Sequence, residues 1–435
     1  MELRKYLSAD GLFGLIRHGF EKVDDFRSSD CEITLPDALM SAFAMFSLKD
    51  PSLLEFDKRR QTDENLKRIY HIGHIPSDTH MRTLLDKVDP DEIKPVFKDI
   101  FRQAQRGKVL EPMVFMNNCY LLSGDATGYF SSKSVHCENC LEKVNKKTGE
   151  ITYHHQMFGG SIVHPNVKGV IPLVPEPIIK QDGTTKNDCE RNAAKRFYKQ
   201  VRSDHPHLGF IVVEDSLHSN APHIKDLTDL GMHYIIGAKE GDHRFLFQEV
   251  NTADQAGQLT HHEVEEDGVI HRFRFINDMP LNASNQDVRV NFVEYWQIKN
   301  GKTLHFCWVA DMTITTENVY QIMRGGRARW KIENETFNTL KNQGYHFEHN
   351  FGHGQKNLST VFAMTMMLAF LVDQIQQLAC PLFQALVKAK QTRISVWREM
   401  QHLFHTLPFA SMGDLFKAML YGFKVNGVII NENST

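Results

Sequence analysis

The chain has 435 residues, 41% of them apolar and 24% charged, with a formal net charge of −3. That is the composition of an ordinary globular protein of two or three domains; it excludes a uniformly basic nucleic-acid binder, so any contact with nucleic acid has to be local. Seven cysteines, with mixed polar sequence after Met1-Glu-Leu-Arg-Lys-Tyr6 in place of a signal peptide, point to a reducing interior with free thiols or a metal site.

Residues 1–108 read as an all-helical region. Leu35 to Phe46 is apolar after the polar Asp30 and Glu32. Pro76-Ser-Asp-Thr79 is a helix start capped by Ser77 or Asp78, with Met81, Leu84, Leu85 and Val88 following at helical spacing. Asp89-Pro-Asp-Glu92 starts another helix. Phe56-Asp-Lys-Arg-Arg60 and Lys67-Arg68 are basic spots, suited to a small helical DNA-binding domain, though a helical scaffold fits nearly as well.

From about residue 112 the pattern changes. Strands are expected at 119–125, 151–163 and 167–174, then a helix at 187–203, a strand at 209–215, a helix at 219–230 and a strand at 234–239. Three strands followed by helix, strand, helix, strand is the order of a ribonuclease-H-like mixed sheet flanked by helices, an α/β fold in which the first and fourth strands lie side by side. The core's first part is therefore 109–241. Residues 242–310 alternate like β hairpins, with Asn300-Gly301 a two-residue turn, and read as a β insertion. Helix returns at 311–350, completing the core, and continues through a helical C-terminal region, 351–435. Within it Val361 to Val372 is a core helix, too short to span a membrane. The tail Asn431-Glu-Asn-Ser-Thr435 is expected to fray.

Three acids stand out. Asp125 ends the apolar run Cys119 to Gly124, Asp215 ends Gly209 to Glu214, and Glu333 lies in the helical stretch Arg327 to Lys341. Singly, each has an ordinary reading as a turn, cap or surface residue. Jointly they occupy the places where two strands and a helix would bring three carboxylates onto two Mg²⁺ or Mn²⁺ ions. Arg329, four residues before Glu333, shares its face and can hold a phosphate or pair with Glu333. Trp330, Phe337 and Leu340 form an apolar stripe. Glu335, roughly 200° around an α-helix from Glu333, cannot face the same ions.

Other clusters carry weaker signals. Arg191, Lys195, Lys199 and Arg202 share one face of the 187–203 helix, a candidate DNA contact or a solvated face. His136-Cys-Glu-Asn-Cys140 is a Cys-x2-Cys knuckle in a polar loop, followed by His154 and His155 on a strand. Two thiolates with one or two imidazoles can hold a structural zinc, with Cys137, Cys140 and His154 the candidate set; a pair of free thiols is the alternative. His346, His349 and His353 lie in a Gly- and His-rich loop beyond the helix.

The helix RARWKIENETFNTLK resembles the signature of DDE transposases from bacterial insertion sequences, in the branch with a β insertion before the catalytic Glu. VVEDSLHSNAPHIKDLTDLGMHYIIGAKEGD is similar to the second-Asp region of that branch, and LLSGDATGYF to its first-Asp strand. The resemblance covers roughly 110–350. It implies that Asp125, Asp215 and Glu333 are catalytic metal ligands, and that Arg329 contacts DNA. The family's Tyr seven before the Glu is Gly326 here; its Lys seven after is Leu340, with Lys341 one step late. The resemblance also implies a cytoplasmic, nucleoid-associated protein that binds terminal inverted repeats and target DNA as a homodimer, cleaves, and transfers strands. A transposase-derived DNA-binding protein without catalysis and a non-transposing nuclease of the same fold are the alternatives. Trp296 or Trp308, in the insertion, is placed to stack on an unpaired base or to serve as core.

Overall fold

The computed structural model describes residues 7–27, 31–60, 64–180, 187–425 and 428–430. The expectations for Met1–Tyr6, Asp30, Lys186 and the tail Asn431–Thr435 fall outside them. The sheet begins with β1 (Tyr120–Ser132), β2 (Leu141–Val144), β3 (Ile151–His164), β4 (Val167–Pro172) and β5 (Glu176–Ile178). It continues with β6 (Phe210–Glu214) and β7 (His233–Gly237), which run parallel to β1 and to each other. β1 pairs antiparallel with β3, and β3 with β4. The first and fourth strands of the expected order are thus neighbours, and the fold is ribonuclease-H-like. β1 is longer than the apolar run suggested, and β2 forms inside what reads as a polar loop.

The insertion opens with a helix that alternation alone does not reveal. Four antiparallel strands follow, β8 (Thr260–Glu266), β9 (Val269–Asn282), β10 (Asn285–Lys299) and β11 (Lys302–Ala310). Asn300 and Gly301 both have positive φ, 49° and 72°, as a tight primed turn needs, and join Lys299 to its partner Lys302. β11 then pairs antiparallel with β7, so core and insertion form one continuous sheet.

The helices ahead of the sheet are α1 (Ala9–Phe20), α2 (Leu35–Ser47), α3 (Leu53–Arg59), α4 (Glu64–Tyr70), α5 (Asp78–Leu85) and α6 (Lys94–Arg106). Ser77, not Asp78, caps α5, accepting from the His80 N–H. Around the sheet lie α7 (Glu190–Asp204), α8 (Ala221–Asp229), α9 (Arg244–Gln255, the insertion's helix) and α10 (Val319–Ala328), the last followed by a π turn (Ile332–Phe337) and α11 (Asn338–Asn342). α12 (Leu358–Ala379) is long and apolar enough to cross a membrane, but 94% of its apolar stretch is buried in the protein. α13 (Pro381–Lys390), α14 (Arg393–Thr406) and α15 (Met412–Tyr421) close the chain's helical end.

The N- and C-terminal helices share one apolar core around α12. Asp373 interrupts the apolar run of α12 because its carboxylate takes the buried Lys49 ammonium at 2.6 Å and the Tyr345 hydroxyl at 2.5 Å. The Lys49 Nζ also lies 4.4 Å over the rings of Tyr345 and Trp397. Asp86, just past α5, accepts the backbone N–H groups of Gln355, Lys356, Asn357 and Leu358 at the start of α12. Burial alone would raise its pKa; these four donors hold it below the usual carboxylate value.

Candidate active site

Strand alternation sets the two strand carboxylates. Gly124 and Gly160, paired across β1 and β3, face α7: a Cβ at Gly124 would overlap the Tyr198 hydroxyl, and one at Gly160 the Phe197 ring. Their neighbours Asp125 and Gly159 therefore face the other side, where Phe337 packs at 3.0 Å from the place a Cβ on Gly159 would take. Asp125 is not at a strand end, since β1 runs on to Ser132; it lies two residues past Ser123↔Val213, the last pair of the β1–β6 ladder. Asp215 follows β6 directly, two residues beyond Val213 on the neighbouring strand, and its Oδ1 accepts the Leu217 N–H at 2.9 Å. Glu214, one residue earlier, points to the α7 side, where it binds Tyr198 at 2.8 Å and His223 at 2.6 Å.

The helical segment bearing Glu333 is pinned over these strands. Ser123 Oγ donates to the Arg329 carbonyl at 3.0 Å, Ser161 meets Thr336 at 3.0 Å, and Lys331 donates to the Val167 carbonyl at 2.8 Å. The backbone widens into the π turn at Ile332–Phe337 instead of continuing as an α-helix. Such single widened turns concentrate at functional sites. Arg329 Nη1 bonds Glu333 Oε1 at 2.8 Å and lies 3.5 Å from Asp125 Oδ2, so one guanidinium bridges two of the three acids. Asp215 and Glu333 both line an open cavity of about 610 Å³, while Glu335 does not.

Burial pushes the Asp125 carboxyl up to about 7; the Glu190 charge adds to this, and Arg329 opposes it. Beside it, burial would lower His218, but Glu214, Glu190 and Asp215 prevail and push it up to about 9. His218 reaches Glu190 at 3.1 Å. Neither Glu190 nor His218 stands out in the sequence; both are visible only because the first turn of α7 and the turn after β6 meet.

The rest of the cavity wall mixes aromatic and basic side chains, Phe306, Trp330, Arg274 and Arg327, with the carboxylates Glu240 and Glu294, the latter paired with Arg274 at 2.6 Å. Trp330, expected in the apolar stripe, is 49% exposed and lies under the Arg329 guanidinium at 4.4 Å; Phe337 and Leu340 are buried as expected. Trp308 lines the cavity but is only 5% exposed. Its indole occupies the space a side chain at Gly326 would need, which accounts for a glycine where the resembled signature has Tyr. Trp296 stacks on His305, with centroids 5.2 Å apart, outside that lining.

The basic candidates are dispersed. Arg191 and Lys195 are exposed, Arg191 donating to the Leu217 carbonyl at 3.3 Å and Lys195 pairing with Asp226 at 2.9 Å. Lys199 is exposed. Arg202 departs from that set: it donates to the carbonyls of Leu208, Leu230 and Gly231, clamping loops together. Lys341 pairs with Glu348 at 2.8 Å and is not part of the cavity wall. In the N-terminal region Lys58, Arg59, Arg60 and Lys67 each pair with an acid.

The Cys-x2-Cys knuckle meets a different histidine from the one expected. His155, fully buried, and not His154 comes within reach of Cys137 and Cys140; successive strand residues face opposite ways. His353 joins them from the loop after α11, while His346 and His349 stay exposed.

Residues 163–371 match the family model of the transposase DDE domain. The match begins in β3; it takes in Asp215, the insertion, Arg329 and Glu333, and leaves Asp125 ahead of it. Among curated proteins, none matches the chain. Residues 163–371 are thus similar to a transposase DDE domain, and the sheet beneath them has the ribonuclease-H-like strand order.

Proposed function

We propose that this protein is a metal-dependent DNA transposase that cleaves at the terminal inverted repeats of its own element and joins the freed ends to target DNA. The observation that carries the reading is the Arg329 guanidinium, held between Asp125 and Glu333 beside the cavity that Asp215 lines. Three carboxylates from two strands and a helical turn are a hard oxygen donor set, suited to Mg²⁺ or Mn²⁺. The raised Asp125 carboxyl supports this: burial among Glu190 and Glu333 leaves the acid short of positive charge, a deficit that a divalent cation makes good. Bound as a pair, such ions activate the attacking water or 3′-hydroxyl and stabilise the departing oxygen.

The protein's own groups would do the remaining work. Asp125, Asp215 and Glu333 hold the cations. Arg329, which lies against two of these acids, would offer its planar fork to the scissile or a flanking phosphate. Phe306 and Trp330 offer faces for a base, and Arg327 a charge for the backbone. Arg191, Lys195, Lys199 and Lys341, with the helical region 1–108, would supply further DNA contacts to a homodimer acting in the cytoplasm.

The test uses duplexes carrying the element's ends, taken from the DNA flanking the gene, with Mg²⁺ or Mn²⁺. Cleavage followed by strand transfer is expected from the wild type, and neither from Asp125→Asn, Asp215→Asn or Glu333→Gln, all of which still bind DNA. Binding without metal-dependent cutting by the wild type would make the protein a DNA-binding relic. Cutting without joining would make it a nuclease.

A further inference from the structure

A second set of ligands lies away from the acids. Cys137 and Cys140 come from the turn before β2, His155 from β3, and His353 from the loop leading into α12. All four are buried, and their ligand atoms lie within 4.8 Å of one another. The two sulfurs are 3.8 Å apart. His155 Nε2 is 3.3 Å from Cys137 Sγ and 3.4 Å from Cys140 Sγ, and His353 Nε2 is 3.2 Å from Cys140 Sγ. Zinc bonds of about 2.3 Å to sulfur and about 2.0–2.1 Å to nitrogen, set tetrahedrally, place ligands at about 3.3–3.8 Å from one another. The cage is thus close to the right size before any ion enters.

Each histidine meets the thiols through its Nε2 alone. The Nδ1 atoms of both histidines are buried with no partner, so neither ring is oriented from behind by a protein acceptor. What aligns them is packing: Tyr129 stacks on His155 with centroids 5.6 Å apart, and Phe130 lies 4.2 Å from His353. The β1–β3 register shifts between Gly128 and Phe130, and this bulge lies beside Tyr129 and Phe130. Four soft or borderline donors, with no carboxylate among them and little access to water, describe a closed structural site rather than a catalytic one.

We infer that Cys137, Cys140, His155 and His353 bind one structural Zn²⁺, which staples the β2 hairpin and β3 to the strap between α11 and α12. Uptake would release the two thiol protons, leaving both sulfurs as thiolates. The strap is already gripped at this spot. Glu138 N–H donates to the Gln355 carbonyl at 2.9 Å, and Asn139 reaches the Lys356 carbonyl at 3.1 Å. Asp86 caps the same residues from the N-terminal helices. The ion would therefore sit on the seam between the catalytic sheet and the helical body.

The test is elemental analysis of the full-length protein, purified under reducing conditions without added metal, followed by cobalt substitution. About one zinc per chain is expected, and the cobalt form should show the visible bands and sulfur charge-transfer absorption of a tetrahedral two-thiolate site. Cys140→Ser and His353→Ala should weaken zinc binding by at least about tenfold. His353→Cys, which keeps a ligand, should retain the ion, and His154→Ala should bind as the wild type does. Folded wild-type protein that takes up neither zinc nor cobalt would overturn the inference, as would wild-type affinity in His353→Ala. Metal content reads this site whether or not the protein cuts DNA.

Discussion

The two clusters of potential ligands differ in every respect that matters to a metal. The acidic site opens on a cavity, carries only oxygen donors and is held together by a borrowed cation, Arg329. The Cys/His cluster is closed, holds no carboxylate, and is packed by aromatic rings. An open oxygen site leaves room for substrate to complete the coordination; a closed sulfur and nitrogen site leaves none. Under the two proposals, one chain would separate the metal chemistry that works on a ligand from the kind that only holds the fold.

The sharpest way to break this contrast is to neutralise one member of each set. Glu333→Gln should lower the cleavage rate on the order of 10³-fold while leaving thermal stability nearly unchanged. Cys140→Ser should do the reverse, lowering the melting temperature first and activity only as a consequence. A stability loss in Glu333→Gln equal to that in Cys140→Ser would erase the distinction. Chelation gives the same division at a distance. EDTA should stop cleavage, with full recovery on adding Mg²⁺, whereas stripping zinc should destabilise the protein in a way Mg²⁺ does not repair.

A smaller effect tests the packing between the insertion and α10. Gly326→Ala puts a methyl group into the Trp308 indole and should cost about 1–3 kcal/mol in denaturant unfolding. A neutral result would mean that the indole moves aside freely.

A further effect is electrostatic. The Asp125 carboxyl is raised from 3.8 to about 7, so between those values the native state holds a proton that the unfolded chain has released. Stability of the metal-free protein should therefore fall as pH rises from about 4 to about 7. Asp125→Asn should flatten that slope and melt higher than the wild type at pH 8. Mg²⁺ should raise the melting temperature of the wild type more than that of the variant. An unchanged slope in Asp125→Asn would mean that other groups set it.

Much of this was legible in the sequence because local signals and topology agreed. The Asn300-Gly301 hairpin and the buried run in α12 follow from patterning within a short window, and the neighbouring first and fourth strands from the order of the elements. The continuation of β1 was not, because the apolar run ends at Gly124, yet the chain stays extended through a bulge to Ser132. α9 hides at the head of a segment that otherwise alternates like strand. The π turn leaves no mark in composition. Arg202 has the spacing of its exposed neighbours and only the folded loops reveal its carbonyl partners. His353 could not be matched to Cys137 and Cys140 from spacing, because a whole core and insertion intervene between them.

The ladder joining β7 to β11 has a consequence for how the insertion behaves. A flap hung on flexible linkers would swing and sample many positions relative to the cutting point. This one is hydrogen-bonded, strand by strand, back to the residue preceding Asp215, so it is stiffly indexed to that carboxylate. Under the proposed function it would serve as a ruler: whatever rests against Phe306 would be measured off from Asp215 by a spacing that the backbone itself fixes.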